Sequence, residues 1–217
     1  MAEEHDHQEC GASSLLAIEL RHHMPFTALG ALSGIAIMLA FVLLKVPRGP
    51  SEVLFEFLHP AHVLLSAIVT TALYRRYRPS VPAAMAVGFV GSIGLGTLSD
   101  IVFPYLGGRL VGGHMDHIHL AFLEEWWLVN PAALVGVGIG LWRRGTRLPH
   151  WGHVFVSTWA SLFYLTSYGG DTNWLPLLPV IFVLLFVAVW FPCCFSDIVF
   201  PLLIAGKKAT MEHEHQH

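Results

Sequence analysis

The chain has 217 residues, 54% of them hydrophobic and only 12% charged, and its mean hydropathy of +0.59 lies far outside the range of an ordinary water-soluble domain. The net charge of −3 carries no information on nucleic acid, but no basic stripe or phosphate loop is present, so nucleic acid is not an expected partner. Three cysteines, Cys10, Cys193 and Cys194, cannot make a disulfide framework, because one sits near the N-terminus and the other two are adjacent in an apolar run.

Residues 1–14 are acidic and rich in His, without the basic-then-apolar order of a secretory signal, and are expected to remain as a cytoplasmic tail. Six apolar runs follow, at residues 26–44, 60–73, 81–103, 120–142, 151–168 and 175–204, the second of them short unless its helix begins near Ser51. A bilayer core of about 30 Å needs about 20 apolar residues in a helix, where every backbone group is satisfied internally. The expectation is an all-α integral membrane protein of about six transmembrane helices. Trp126, Trp127, Trp142, Trp151 and Trp174 fall near the ends of the runs, as interfacial aromatics do. With six spans, Arg21, Arg75, Arg76, Arg78, Arg143, Arg144, Arg147, Lys207 and Lys208 share the N-terminal side, and only Lys45, Arg48 and Arg109 lie opposite. That asymmetry predicts a multi-pass protein of the cell's inner membrane with both termini cytoplasmic.

The chain also repeats itself. Leu98-Ser99-Asp100-Ile101-Val102-Phe103-Pro104 recurs as Phe195-Ser196-Asp197-Ile198-Val199-Phe200-Pro201. His59, His62 and Ser66 recur as His150, His153 and Ser157, and Glu19, Pro25, Gly30 and Gly34 align more weakly with Glu125, Pro131, Gly136 and Gly140. The first repeat covers residues 15–106 and the second 120–204, joined by an external loop at 107–119 and followed by a His- and Glu-rich tail at 205–217. Three spans per repeat turn the second upside down relative to the first, giving two inverted-topology three-helix repeats, an architecture of secondary transporters.

On that topology His59, His62, Asp100 and Glu125 gather toward the outer half, and His150, His153, Asp197 and Glu19 toward the inner half. Two His three positions apart share a helix face. With a carboxylate they suit Zn²⁺, Fe²⁺, Mn²⁺, Ni²⁺ or Co²⁺, with Zn²⁺ and Fe²⁺ foremost. Ser66 and Ser157 are candidates for hydrogen bonds that orient the ligands. Cys194, one turn before Asp197, could add a thiolate to the inner set, although a buried thiol is by default a packing residue. His114, His117 and His119 in the external loop, and the His-rich ends, could collect cations or could simply be solvated. The bland readings are that His near a helix end snorkels, and that Asp100 and Asp197 fix a helix break before Pro104 and Pro201.

The leading expectation is a transporter of a divalent transition-metal cation with paired outer and inner sites, exchanging metal for protons because ligands must be deprotonated to bind. Its partners are the lipid bilayer, the metal and protons, with a homo-oligomer left open. Alternatives are a membrane-embedded metal-dependent hydrolase built on His59, His62 and Asp100 with Ser66 nearby, a b-type haem protein, or a structural membrane subunit. The glycine pairs Gly30 and Gly34, Gly88 and Gly91, and Gly136 and Gly140 read as sites of close helix approach.

Overall fold

A computed structural model describes residues 2–142, 150–195 and 199–206; the side chains at 2–19, 22, 23, 150, 151 and 194 lie outside the description. The described residues are helical, with no strand. The helices are α1 (Ala2–Leu43), α2 (Arg48–Tyr77), α3 (Val81–Thr97), α4 (Phe103–Leu110), α5 (Ala121–Glu124), α6 (Trp126–Trp142), α7 (His150–Tyr168), α8 (Leu178–Cys194) and α9 (Phe200–Ala205). Four stretches are long and apolar enough to cross a membrane: Met24–Leu43, Arg48–Tyr77, Val81–Leu110 and Leu175–Cys193. Trp126–Trp142 is a shorter apolar helix.

Burial runs opposite to that of a soluble bundle. Leu29, Leu32, Leu43, Val53, Phe57, Leu134, Val183 and Val187 are exposed, while Thr27, Ser66, Thr70, Ser92, Ser99, Ser157, Thr158 and Ser161 are buried. Hydroxyls among an otherwise apolar interior, inside a hydrocarbon-like surface, are what a lipid solvent selects, since side-chain hydroxyls can bond between helices there and Leu or Val loses nothing by facing outward.

Two features of the first two helices bear on the sequence reading. The acidic, His-rich residues 2–14 are helical and continuous with the first span. The second long helix starts at Arg48, well before the apolar run that marks it, because Arg48, Glu52 and Glu56 depress the local hydropathy without breaking the helix. His59 and His62 therefore sit mid-helix: His62 lies 14 residues after Arg48 and 13 before Arg75, about 20 Å from each at 1.5 Å per residue.

Helix α2 is the hub, packed against α3, α6 and α7, while α1 packs against α7 and α8. Glycine sets the closest of these approaches. A Cβ at Gly136 would stand 2.4 Å from the Leu64 carbonyl oxygen and 2.8 Å from Ala67 Cβ, and one at Gly140 would stand 2.7 Å from the Ile68 carbonyl oxygen and 2.9 Å from Thr71 Cβ. Gly30 similarly faces Thr158, and Gly34 faces Leu162 and Leu185. At the end of α2 away from Arg48, Arg75 donates to the Leu141 carbonyl and Arg78 Nε donates to the Ala205 carbonyl at 2.7 Å. These guanidinium groups supply donors to carbonyls in the last turns of α6 and α9.

Between α3 and α4 the chain makes a π-turn, Leu98–Val102, in which the Phe103 N–H donates to the Leu98 carbonyl five residues back. The cause is written in the sequence: Pro104 has no N–H for the Asp100 carbonyl four residues earlier, so the ladder slips to a wider turn. The Ser161 hydroxyl donates to the Ser99 carbonyl at 3.0 Å, supplying a donor from α7 to one carbonyl of that turn. Phe195 and Val199, in the matching segment before Pro201, carry the same π-type backbone.

Candidate functional site

The widened turn carries Asp100 into the bundle interior, where it is 0% exposed and accepts four hydrogen bonds. His59 Nδ1 at 2.9 Å and His62 Nδ1 at 2.6 Å meet Oδ2, while the Ser99 and Ser157 hydroxyls meet Oδ1 at 2.7 and 2.8 Å. These are side-chain donors from α2, the π-turn and α7. Asp100 thus ties three elements together rather than capping the break before Pro104 through backbone N–H groups. His59 and His62 are fully buried in the middle of α2, which removes the snorkelling reading.

A carboxylate can only accept, so both Nδ1 atoms carry the hydrogen, and the neutral tautomer leaves each Nε2 with a lone pair. For His62 that lone pair points across the interface to the second half: His62 Nε2 and His153 Nε2 are 3.2 Å apart, with ring centroids 4.5 Å apart and the planes at 66°. The buried Cys193 thiol is 4.0 Å from His62 Nε2 and donates toward Ser157 Oγ at 3.5 Å. The ligand atoms of His62, His153 and Cys193 all lie within 4.8 Å of one another. Two nitrogens bound to one tetrahedral ion at about 2.05 Å stand roughly 3.3 Å apart, so the nitrogen pair already has the needed spacing. Asp100 fixes the tautomer and orientation of the His62 ring, whose other nitrogen faces His153 and Cys193, as a carboxylate does behind a metal-binding histidine. His59 Nε2 is buried with no hydrogen-bond partner among the described residues.

The remaining candidates distribute as follows. Ser157 joins the centre through Asp100 and Cys193, and Ser66 is buried one turn after His62 on the same face of α2. Glu125 lies apart from Asp100, paired with His119: His119 Nε2 is 2.8 Å from Glu125 Oε1, and His119 Nδ1 is 3.0 Å from Glu124 Oε2. Burial works to lower the His119 pKa, but the hydrogen bond with Glu125 and the charges of Glu124 and Glu125 leave it raised. Glu124 is held below its ordinary value, first by the Leu120 backbone N–H that it accepts at 2.9 Å. His114 and His117 are exposed; the His114 backbone N–H donates to Thr172 Oγ1 at 2.9 Å. Asp197 and the side chains of Glu19, His150 and Cys194 lie outside the described residues.

Two features depart from the sequence reading. Outer and inner sets were expected at opposite ends, yet His62 and His153 meet at one point, because α2 extends twelve residues before Pro60 and places its His pair at mid-height. The thiol at that point is Cys193. The signal was present in helix geometry: Cys193 is four residues before Asp197, as Gly96 is before Asp100, and a Cβ on Gly96 would stand 3.9 Å from His62 Nδ1. A π-turn stretches the turn further and favours that spacing over three. No protein family, curated protein or solved structure matches the chain.

Proposed function

We propose that the protein is a six-span membrane carrier for a divalent transition-metal cation, built from two inverted three-helix repeats, with the cation held between them by His62, His153 and Cys193. The observation that carries the reading is the meeting of His62 Nε2 and His153 Nε2 at 3.2 Å, because these residues occupy equivalent positions of the two repeats. A residue pair related in this way lies on the pseudo-two-fold axis of an inverted repeat, where transporter sites are built and where rocking of one half exposes the same ligands to either side.

Several observations support the inverted arrangement. Gly30 faces Thr158 and Gly34 faces Leu162, while Gly136 faces Ala67 and Gly140 faces Thr71. Adding 106 to the first glycine pair gives the second, and subtracting 91 from their partners gives Ala67 and Thr71, so the same contact is made twice with the halves exchanged. The first helix of each repeat packs on the second and third of the other: α1 on α7 and α8, α6 on α2 and α3. The excess of Lys and Arg on one side supports a topology with both termini in the cytoplasm.

The donor set narrows the substrate. Two imidazoles with a thiolate suit Zn²⁺, Fe²⁺ or Co²⁺ better than Mn²⁺, which prefers oxygen. The hydrolase alternative needs His59, His62 and Asp100 to converge on one ion, whereas here Asp100 gives Oδ2 to both rings and Oδ1 to the Ser99 and Ser157 hydroxyls. A haem between His62 and His153 would hold their nitrogens about 4 Å apart, twice a metal–nitrogen bond of about 2 Å, with a porphyrin in between.

Metal and protons compete for imidazole and thiol, so coupling to protons is part of the proposal. Apparent metal affinity is expected to fall about tenfold per pH unit for each proton displaced, as pH drops through the range where His and thiol protonate. In proteoliposomes a pH gradient is expected to drive metal flux toward the more acidic compartment. Equal rates with and without the gradient, in both directions, would remove proton coupling from the account.

A further inference from the structure

A second polar cluster sits at the end of the bundle where α2 begins and where the 111–125 connection enters α6. Its centre is His119, which lies between two carboxylates and also donates its backbone N–H to Tyr164 Oη at 3.1 Å. Glu125 is only 7% exposed, and its second oxygen, Oε2, is buried without a hydrogen-bond partner among the described residues. An unpaired carboxylate oxygen in a buried position is expensive, and a bound cation removes the cost.

The surrounding charge adds to this. Glu56, on α2 one turn beyond Glu52, lies in electrostatic range of Glu125, Glu52 and His119. Glu124, Glu125 and Glu56 thus surround His119, with Glu52 beside Glu56, while Arg48, at the start of α2, is engaged by Asp171. Such a concentration of negative charge at reduced dielectric attracts a counter-cation.

Between this cluster and the central site stands Phe55. It is fully buried, stacked on His59 with centroids 5.4 Å apart and planes at 13°, and edge-on to His119 at 6.2 Å. The order along the bundle is therefore His119, Phe55, His59, Asp100, His62 and His153, with an apolar ring dividing two polar stations.

We propose that Glu125 and Glu124, assisted by Glu56 and held in place by the His119 ring between them, form a second site for a divalent cation, separated from the His62–His153 site by Phe55. Oxygen-rich and partly open to water at Glu124, it suits a cation that keeps part of its hydration shell. The binding site stands on its own geometry. Its role as the station where the ion waits before or after passing Phe55 rests on the transport reading above.

Cobalt(II) separates the two, because only a site with Cys193 gives a thiolate-to-cobalt absorption band. Equilibrium dialysis of the detergent-purified full chain with Co²⁺ is expected to show one equivalent fewer for Glu125→Gln than for wild type, with the thiolate band unchanged; Glu124→Gln should behave the same way. His62→Ala should also lose one equivalent, but with the band. If the central reading alone is wrong, wild type shows no band and His62→Ala binds as wild type, yet Glu125→Gln still loses its equivalent. Wild-type stoichiometry in both Glu125→Gln and Glu124→Gln would overturn the second site. Loss of both equivalents and of the band in both variants would make the cluster a structural tie and overturn it equally.

Discussion

Asp100→Ala is expected to be the most damaging single substitution in the described part of the chain. It leaves His59 Nδ1, His62 Nδ1 and the Ser99 and Ser157 hydroxyls without their shared acceptor, all of them buried. Each orphaned donor costs about 1–3 kcal/mol, and breaking a buried charged network costs about 3–5 kcal/mol, a large fraction of a typical total stability of about 5–15 kcal/mol. Relaxation of the hydroxyls onto backbone carbonyls limits the sum, so a loss of about 3–5 kcal/mol is expected, measured as thermal or denaturant unfolding in detergent. Asp100→Asn keeps the shape and one acceptor oxygen and should lose less stability. It should still weaken metal binding about 10–100-fold, because a neutral amide oxygen holds the His62 hydrogen on Nδ1 and raises the basicity of Nε2 less than a carboxylate does. An unchanged midpoint for Asp100→Ala would show that the network does not hold α2, the π-turn and α7 together.

The second large effect is steric. Gly136→Val puts a branched side chain where even a Cβ would lie 2.4 Å from the Leu64 carbonyl oxygen, and backbone cannot yield as a side chain can. Helices α2 and α6 must then separate. The expected cost is about 3 kcal/mol, the upper part of the range for overpacking, with a lower unfolding midpoint as readout. Two residues on in the same helix, Gly138 has nothing within 4 Å of an added Cβ. Gly138→Ala should therefore be neutral or stabilising by up to about 1 kcal/mol, from helix propensity alone. Equal behaviour of the two positions would mean that α2 and α6 are not in backbone contact.

These predictions draw unequally on what the sequence makes legible. The apolar runs mark the long helices because lipid imposes a length on them, and the recurrence of Ser-Asp-Ile-Val-Phe-Pro marks Asp100 as a position with a purpose. That motif also marks a disturbance of the helix before Pro104, though not its form: the chain widens into a π-turn and continues, while Pro60 and Pro131 sit inside unbroken α-helix. The height of the His pair is legible only in part. The apolar run alone starts at Pro60 and puts His59 and His62 at its head, and only the alternative start near Ser51 moves them inward; the helix begins at Arg48. With that start His62 reaches His153, where the sequence reading set the two toward opposite ends. Glu125 was misplaced for a related reason: α6 begins at Trp126, so Glu125 stays with the connection and pairs with His119 instead of facing Asp100. Phe55 could not be singled out at all, because one aromatic in an apolar helix carries no signal until its neighbours are known.

The central claim is that one ion is shared by His62 and His153 from opposite halves, with Cys193 beside it. It is tested most directly by titrating the purified protein with Co²⁺ and following the thiolate-to-cobalt band in wild type, His62→Ala, His153→Ala and Cys193→Ser. The account predicts a band in wild type that is lost in full with each single substitution, because every one removes a ligand from the same ion. A band that survives both histidine substitutions, or that falls by separate and additive parts, would mean that the two halves do not share a site.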